Sequence, residues 1–297
     1  MRFNAIILIV SFSFTSTALA ADSQQSRSNI KVIAPASLQT NARPSKTIFS
    51  NKGYIGLIID DMGYRYQSGM RAINLPAKVT YAFLPYAPHA RKLANLANKQ
   101  QKEIMLHLPM EAQNGKALGP GGLTVAMSKP VFELELKHNL SAIPFIKGVN
   151  NHMGSLLTQQ AESMGWLMEK LAERQIYFVD SRTSEKSLAL KIARQHGLRS
   201  ETRDIFVDHD LSNDAIQRQL DLAIKAAKRN GSAVVIAHPF PETMQALEKW
   251  LPQAQAKGFE FVFMSELFVI RKQIRVQRSQ QKRLTQWQTA NPTMKKN

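Results

Sequence analysis

The 297-residue chain contains no cysteine. That excludes disulfides, thiol nucleophiles and thiolate metal sites, so any metal must be held by His, Asp, Glu, Asn or water. Acid is scarce beside base, with 22 Asp/Glu against 39 Lys/Arg and a net charge of +17. No apolar run reaches the ~20 residues that a membrane-spanning helix needs. No G-x-G-x-x-G fingerprint follows the first candidate strand, which leaves dinucleotide binding without support. There is no internal repeat.

The two ends differ from the middle. Arg2, the apolar stretch from Phe3 to about Phe14 and the small residues of Ala18-Leu19-Ala20 read as a secretory signal peptide over residues 1–20. The chain is therefore expected to be exported, periplasmic or extracellular, with no lipid attachment and no transmembrane span after cleavage. Residues 21–51, rich in Ser, Gln, Asn and Pro, read as a flexible linker. Residues 271–297 hold eight Lys/Arg and no Asp/Glu, and residues 1–50 hold five against one, so the middle carries only the remaining +5. The Gln- and Arg-rich tail 271–297 is expected to be dispensable for folding. An exported chain rarely meets nucleic acid, so anionic envelope polymers or lipid surfaces are the partners such basic ends suggest.

Between these ends, residues 52–270 alternate short β-rich apolar runs with longer amphipathic segments. Candidate strands are Tyr54–Asp60, Val79–Leu84, Ile104–Leu108, Ile146–Asn150, Ile176–Asp180, Arg203–Val207, Ala233–Ala237 and Phe259–Phe263. Candidate helices lie near 65–74, 88–101, 129–142, 158–174, 185–196, 212–230 and 242–256. Ser128, Thr158 and Ser212 are N-cap candidates, and Gly197, Gly231 and Gly258 stand where a left-handed residue ends a helix. Regular β-α alternation with nearly continuous apolar strands predicts an α/β fold with a parallel sheet covered on both faces. Seven to eight units over this length fit a (β/α) barrel better than a doubly wound open sheet. Residues 111–128 read as a long rim loop.

Function in parallel barrels lies at the carboxyl ends of the strands. Those ends carry Asp60-Asp61, His107 to Glu111, Asn150-Asn151-His152, Asp180-Ser181-Arg182, Asp208-His209-Asp210 and His238. Two adjacent carboxylates at a buried strand end repel each other unless a positive group compensates. A divalent cation does so, with one Asp as ligand and the other as proton acceptor; a helix cap plus a solvated Asp is the alternative. His107 and His152 are the nitrogen ligands to join Asp61, and two imidazoles with one carboxylate is a common Zn²⁺ hydrolase arrangement. His238, leaving a buried strand, is placed to protonate a leaving group, and Asp180 to orient it. Arg182, Glu111 and Asn151 are candidates for substrate contact. His209 reads as a polar loop residue.

The strings Ile-Gly-Leu-Ile-Ile-Asp-Asp-Met-Gly (55–63), His-Leu-Pro-Met-Glu (107–111), Gly-Val-Asn-Asn-His-Met-Gly-Ser (148–155), Phe-Val-Asp-Ser-Arg-Thr (178–183) and Ala-His-Pro (237–239) resemble the divergent polysaccharide deacetylase family. That family is a branch of the carbohydrate esterase superfamily with a NodB-like distorted barrel, and the resemblance covers about residues 52–270. It implies Asp60 as catalytic base, Asp61 as metal ligand, His238 as general acid and Asp180 as the acid that tunes it. Ordinary deacetylases take two ligands from a His-x-x-x-His helix, which this chain lacks, so His107 and His152 rest on strand-end position. The expected activity is metal-dependent removal of acyl, chiefly N-acetyl, groups from an envelope glycan such as peptidoglycan. The alternative is a catalytically silent glycan-binding or envelope-assembly factor on the same fold.

Overall fold

The computed structural model describes residues 53–291; the expected signal peptide, the expected linker and residues 292–297 of the tail lie outside them. The elements run β1 (Tyr54–Met62), α1 (Tyr66–Ile73), β2 (Thr80–Phe83), α2 (Ala90–Lys99), β3 (Glu103–Met110), α3 (Lys129–Ala142), β4 (Ile146–Met153), α4 (Ala161–Glu173), β5 (Tyr177–Asp180), α5 (Ala189–Gln195), β6 (Ser200–Thr202), β7 (Ile205–Phe206), α6 (Asn213–Asn230), β8 (Ser232–Ala237), α7 (Pro241–Ala256), β9 (Glu260–Phe261) and α8 (Met264–Ala290). The strands form one parallel sheet in the order β6-β5-β4-β3-β2-β1-β8-β7, with β9 beside the start of β1. β9 pairs with Tyr54 and Ile55, and β2 takes over from Ile58. The sheet curls into the expected distorted barrel, but β6 and β7 do not pair and the barrel is open there. The expected strand over 203–207 shortens to Ile205–Phe206, and Ser200–Thr202 pairs with β5 instead.

Period-two alternation sorts the side chains. Ile55, Leu57 and Ile59 face the surrounding helices, whereas Ile58, Met105, Val179, Val234 and Ile236 pack inside the barrel with Met264, Leu267 and Phe268 of α8. Gly56 is where α8 comes closest. A Cβ there would stand 2.7 Å from Met264 Sδ and 2.8 Å from Leu267 Cδ2. The first turns of α8 thus plug the amino-end mouth of the barrel. Continued upward, the inward rows arrive at Asp60, His107, Asn150 and His238.

Polar groups at the amino-end mouth are paired. The buried Glu103 Oε1 accepts from Tyr177 Oη (2.8 Å), Thr80 Oγ1 (3.1 Å) and Ser265 N (3.1 Å). Arg271 donates to Ser232 Oγ (3.0 Å), to Glu201 Oε2 (2.8 Å) and to Asp204, and Arg275 donates to Glu201 Oε1 (2.9 Å). Glu201 lies on β6, Asp204 in the β6–β7 link and Ser232 on β8, so the clamp bridges the open seam where ladder bonds are missing. α8 therefore runs straight through residue 270, and the start of the basic tail belongs structurally to the barrel. Arg271 and Arg275 are thus bonded to the barrel, which runs against the expectation that residues 271–297 are not needed for folding.

Of the three N-cap candidates only Ser212 caps with its side chain; Ser128 stands at the N-cap of α3 without a side-chain cap bond. Ser212 Oγ accepts from Ala215 N at the start of α6, and Gly231 ends that helix with φ 77°. Thr158 does not cap α4: it sits in a 3-10 turn, its hydroxyl donates to Gly154 O, and α4 begins at Ala161. Among the described residues no helix is long and apolar enough to cross a membrane.

Candidate metal and catalytic centre

The site stands on four strand ends, those of β1, β3, β4 and β8, and one backbone irregularity. Regular alternation would turn Asp60 and Asp61 to opposite faces. Instead the β1–β2 register shifts between Ile59 and Met62, and Asp61 adopts φ 53°. Asp tolerates this left-handed conformation better than most residues, and it brings both carboxylates to the barrel mouth. Parallel register supplies the neighbours. His107 lies opposite Asn150, and Pro109 opposite His152, so His107, Asn150 and His152 share one inward face. On the other side of β1, Ile59 pairs with Ala237, which sets His238 one step beyond, beside Asp60.

The centre has two layers. In the buried layer, Asp60 and His107 are each 2 % exposed and Asn150 is fully buried. Asn150 Nδ2 donates to Asp60 Oδ1 (2.8 Å). That orientation leaves Asn150 Oδ1 as acceptor for His107 Nδ1–H at 2.8 Å, and the His107 Nε2 lone pair points outward. In the upper layer, Nε2 of His107 lies 3.3 Å and Nδ1 of His152 lies 3.0 Å from Asp61 Oδ1, and the two nitrogens are 3.1 Å apart. One ligand atom from each of the three lies within 4.8 Å of the others. Asp61 Oδ1 is buried and accepts no well-formed hydrogen bond. An unpaired carboxylate oxygen facing two imidazole nitrogens is costly unless a cation sits among them. This donor set fits a divalent metal.

Charge is distributed accordingly. Burial acts to raise the Asp61 pKa, but His107 and His152 outweigh it and hold the group well below the ordinary carboxylate range. Burial pushes the Asp60 carboxyl above its ordinary value, against the pull of His107, His238 and Asn150. Burial opposes charge on His107, yet Asp60 and Asp61 raise it.

His238 Nε2 stands 4.0 Å from Asp61 Oδ2. Its partner corrects one expectation: Asp208, not Asp180, holds the imidazole. Asp208 Oδ1 lies 2.9 Å from His238 Nδ1, and Oδ2 accepts from His238 N (2.7 Å) and Thr243 Oγ1 (3.0 Å). Burial works against protonation of His238, but the Asp208 bond and charge lift its pKa to about 9. Phe206 packs edge-on against the ring at 5.3 Å. Asp180 follows the outward row of Phe178, and its carboxylate accepts from Arg182 N (2.8 Å) and Ser187 Oγ (2.8 Å). It shapes the β5 turn. The cue to Asp208 was the β7–β8 register, in which Phe206 faces Ile236, so that two residues on Asp208 meets His238.

The three candidate substrate contacts separate. Glu111 Oε2 accepts from Val125 N (2.7 Å) and its backbone oxygen accepts from Leu156 and Leu157, so it organises the rim loop. Asn151 is buried with both polar ends used: Oδ1 accepts from Ser181 N (2.8 Å) and Nδ2 donates to Met153 O (2.7 Å). Asn151 is thus spent inside the barrel, whereas Glu111 keeps Oε1 without a partner among the described residues. Arg182 is exposed at the end of β5, with φ 50°, and makes no side-chain bond among the described residues.

Comparison with known proteins agrees with this geometry. The model of the divergent polysaccharide deacetylase family matches residues 57–268. An uncharacterized protein of Haemophilus influenzae is 36% identical over 197 residues, covering 66% of this chain and 70% of that one. The uncharacterized protein YibQ of Escherichia coli is 33% identical over 197 residues, and the match spans 62% of its length and 66% of this chain. The crystal structure of an uncharacterized protein from Agrobacterium tumefaciens superposes with a TM-score of 0.70 at 26% identity, covering 73% of this chain and 89% of that one. With strings, strand order and barrel in agreement, the chain belongs to the divergent polysaccharide deacetylase family.

Proposed function

We propose that the chain is an exported, divalent-metal-dependent hydrolase that removes acyl groups, N-acetyl above all, from an envelope polysaccharide, with peptidoglycan as the substrate. The observation that carries this reading is Asp61 Oδ1, which is buried, unpaired and faced by His107 and His152. Those three residues would hold the ion. Zn²⁺ suits two imidazoles and a carboxylate in a site without sulfur. When bound, the ion would polarise the acyl carbonyl and acidify the attacking water.

The remaining work falls to the chain. Asp60 takes the proton of the attacking water, and its burial makes it a stronger base than a solvated carboxylate. Asn150 fixes that carboxylate and, through the same amide, the His107 tautomer. His238 hands a proton to the departing amine, and Asp208 keeps the imidazole aimed and favours its charged form. The test is acetate release from N-acetylated cell-wall oligosaccharides. Chelation should abolish release and added Zn²⁺ restore it. If the metal-loaded chain frees no acetate from any such glycan, this reading fails and a glycan-binding factor takes its place. Mature protein recovered from cells should begin at Ala21.

A further inference from the structure

Beside Asp61 and His238 a groove of about 330 Å³ opens to solvent. Its other walls include Tyr64, Arg65 and Phe240. Tyr64 is 56% and Phe240 38% exposed, and both flank this groove; the other exposed large aromatics, Tyr86, Phe145 and Trp287, do not line it. Exposed aromatic surface gathered at a concave site marks a ligand contact. Phe240 is also held in place, its ring tilted against His238 at 5.6 Å.

Arg65 gives the groove its charge. Arg71, on the same helix, is taken up by Glu248 in a two-pronged ion pair. The Arg65 side chain makes no hydrogen bond or ion pair among the described residues, and its guanidinium fork remains available at the groove wall. Such a fork binds a carboxylate through two parallel bonds. Pro239 and Pro241, on either side of Phe240, limit the backbone freedom of the opposite wall.

We infer that this groove is a subsite for a carboxylate-bearing sugar next to the one that carries the acyl group. Tyr64 and Phe240 bracket the sugar ring and Arg65 takes its carboxylate. The inference rests on the proposed glycan hydrolase reading and narrows its substrate to an acidic glycan. It also sets the direction of the chain across the mouth. Arg65 holds the acidic sugar at its own wall, which leaves the Asp61–His238 wall of the groove for the acyl-bearing sugar. Arg182, which does not line this groove, plays no part in it.

The experiment is equilibrium titration of the full chain, in its Asp60→Asn form so that no ligand is consumed, with three probes. These are N-acetylglucosaminyl-N-acetylmuramic acid with its free carboxylate, the methyl ester of the same disaccharide, and N,N′-diacetylchitobiose. A charge-assisted pair favours the free acid by about tenfold or more. Arg65→Gln should erase that preference while leaving ester binding unchanged, and Arg65→Lys should restore part of it. Tyr64→Ala and Phe240→Ala should weaken all three probes alike. Arg65 is exposed, so its variants should keep the melting temperature of the parent. Equal binding of acid and ester, a preference that survives Arg65→Gln, or no binding of any probe overturns the inference. Binding is read without turnover, so a preference for the acid together with a wild type that releases no acetate sinks only the hydrolase reading. A chain that hydrolyses acyl groups without preferring the acid sinks only the subsite.

Discussion

The two mouths of the barrel bury charge in opposite ways. At the amino end, Glu103 Oε1 accepts three hydrogen bonds and Glu201 is held by two arginines. At the carboxyl end, Asp61 Oδ1 has no such bond, and the two imidazole nitrogens beside it stand 3.1 Å apart. The amino end is complete as it stands, and its charges serve to close the seam between β6 and β7. The carboxyl end is short of one positive charge. Structural sites pair their buried charge, and functional sites leave it for a ligand to pair.

The largest expected effect falls on the carboxyl end alone. General acid–base groups contribute typically ~10²–10⁴-fold in rate, so Asp60→Asn and His238→Ala should each lose about that much acetate release. Both should keep the fold by circular dichroism and the metal by elemental analysis. Equal loss of melting temperature in either would show that this end is structural after all. Asp208→Asn should act through His238, with a smaller loss of rate and a shifted pH–rate profile. A variant whose profile matches the wild type would separate Asp208 from the chemistry.

The reverse effect is expected at the amino end. Removing one partner of a buried ion pair costs about 3–5 kcal/mol, so Arg271→Ala should lower stability by roughly that amount in chemical denaturation and leave metal content unchanged. Paired truncations sharpen the point. A chain ending at Val269 loses the clamp and should be strongly destabilised. A chain ending at Arg278 retains Arg271 and Arg275 and should melt close to the full-length protein. The smallest effect is on that shorter chain's salt-sensitive binding to anionic vesicles or glycans, which should weaken with the basic residues removed. Unchanged binding would assign those charges to simple solvation.

What was readable beforehand follows the same division. β1 and β8 announced themselves as unbroken apolar runs, and Asp60-Asp61 as paired acids where such a run stops. Ser200–Thr202 carries no apolar residue and pairs as a strand only because β5 offers it an edge. Asp208 and Asp180 look equivalent as residues after a strand. What parts them is the inward or outward phase of each strand and a register that spans thirty residues to His238. Asn150 has no charge to attract notice, yet it links Asp60 to the tautomer of His107. The convergence of His107 and His152 without a His-x-x-x-His helix depended on the β3–β4 register, which the spacing of the two residues did not reveal.

The central claim is that the carboxyl-end mouth needs a cation which Asp61, His107 and His152 supply with ligands. Elemental analysis of purified wild type and of Asp61→Ala, His107→Ala and His152→Ala, each dialysed against trace Zn²⁺, addresses it directly. The account predicts one divalent ion per wild-type chain and its loss in each variant, with Arg271→Ala retaining it. Wild type without metal, or stoichiometric metal in all three variants, would contradict it.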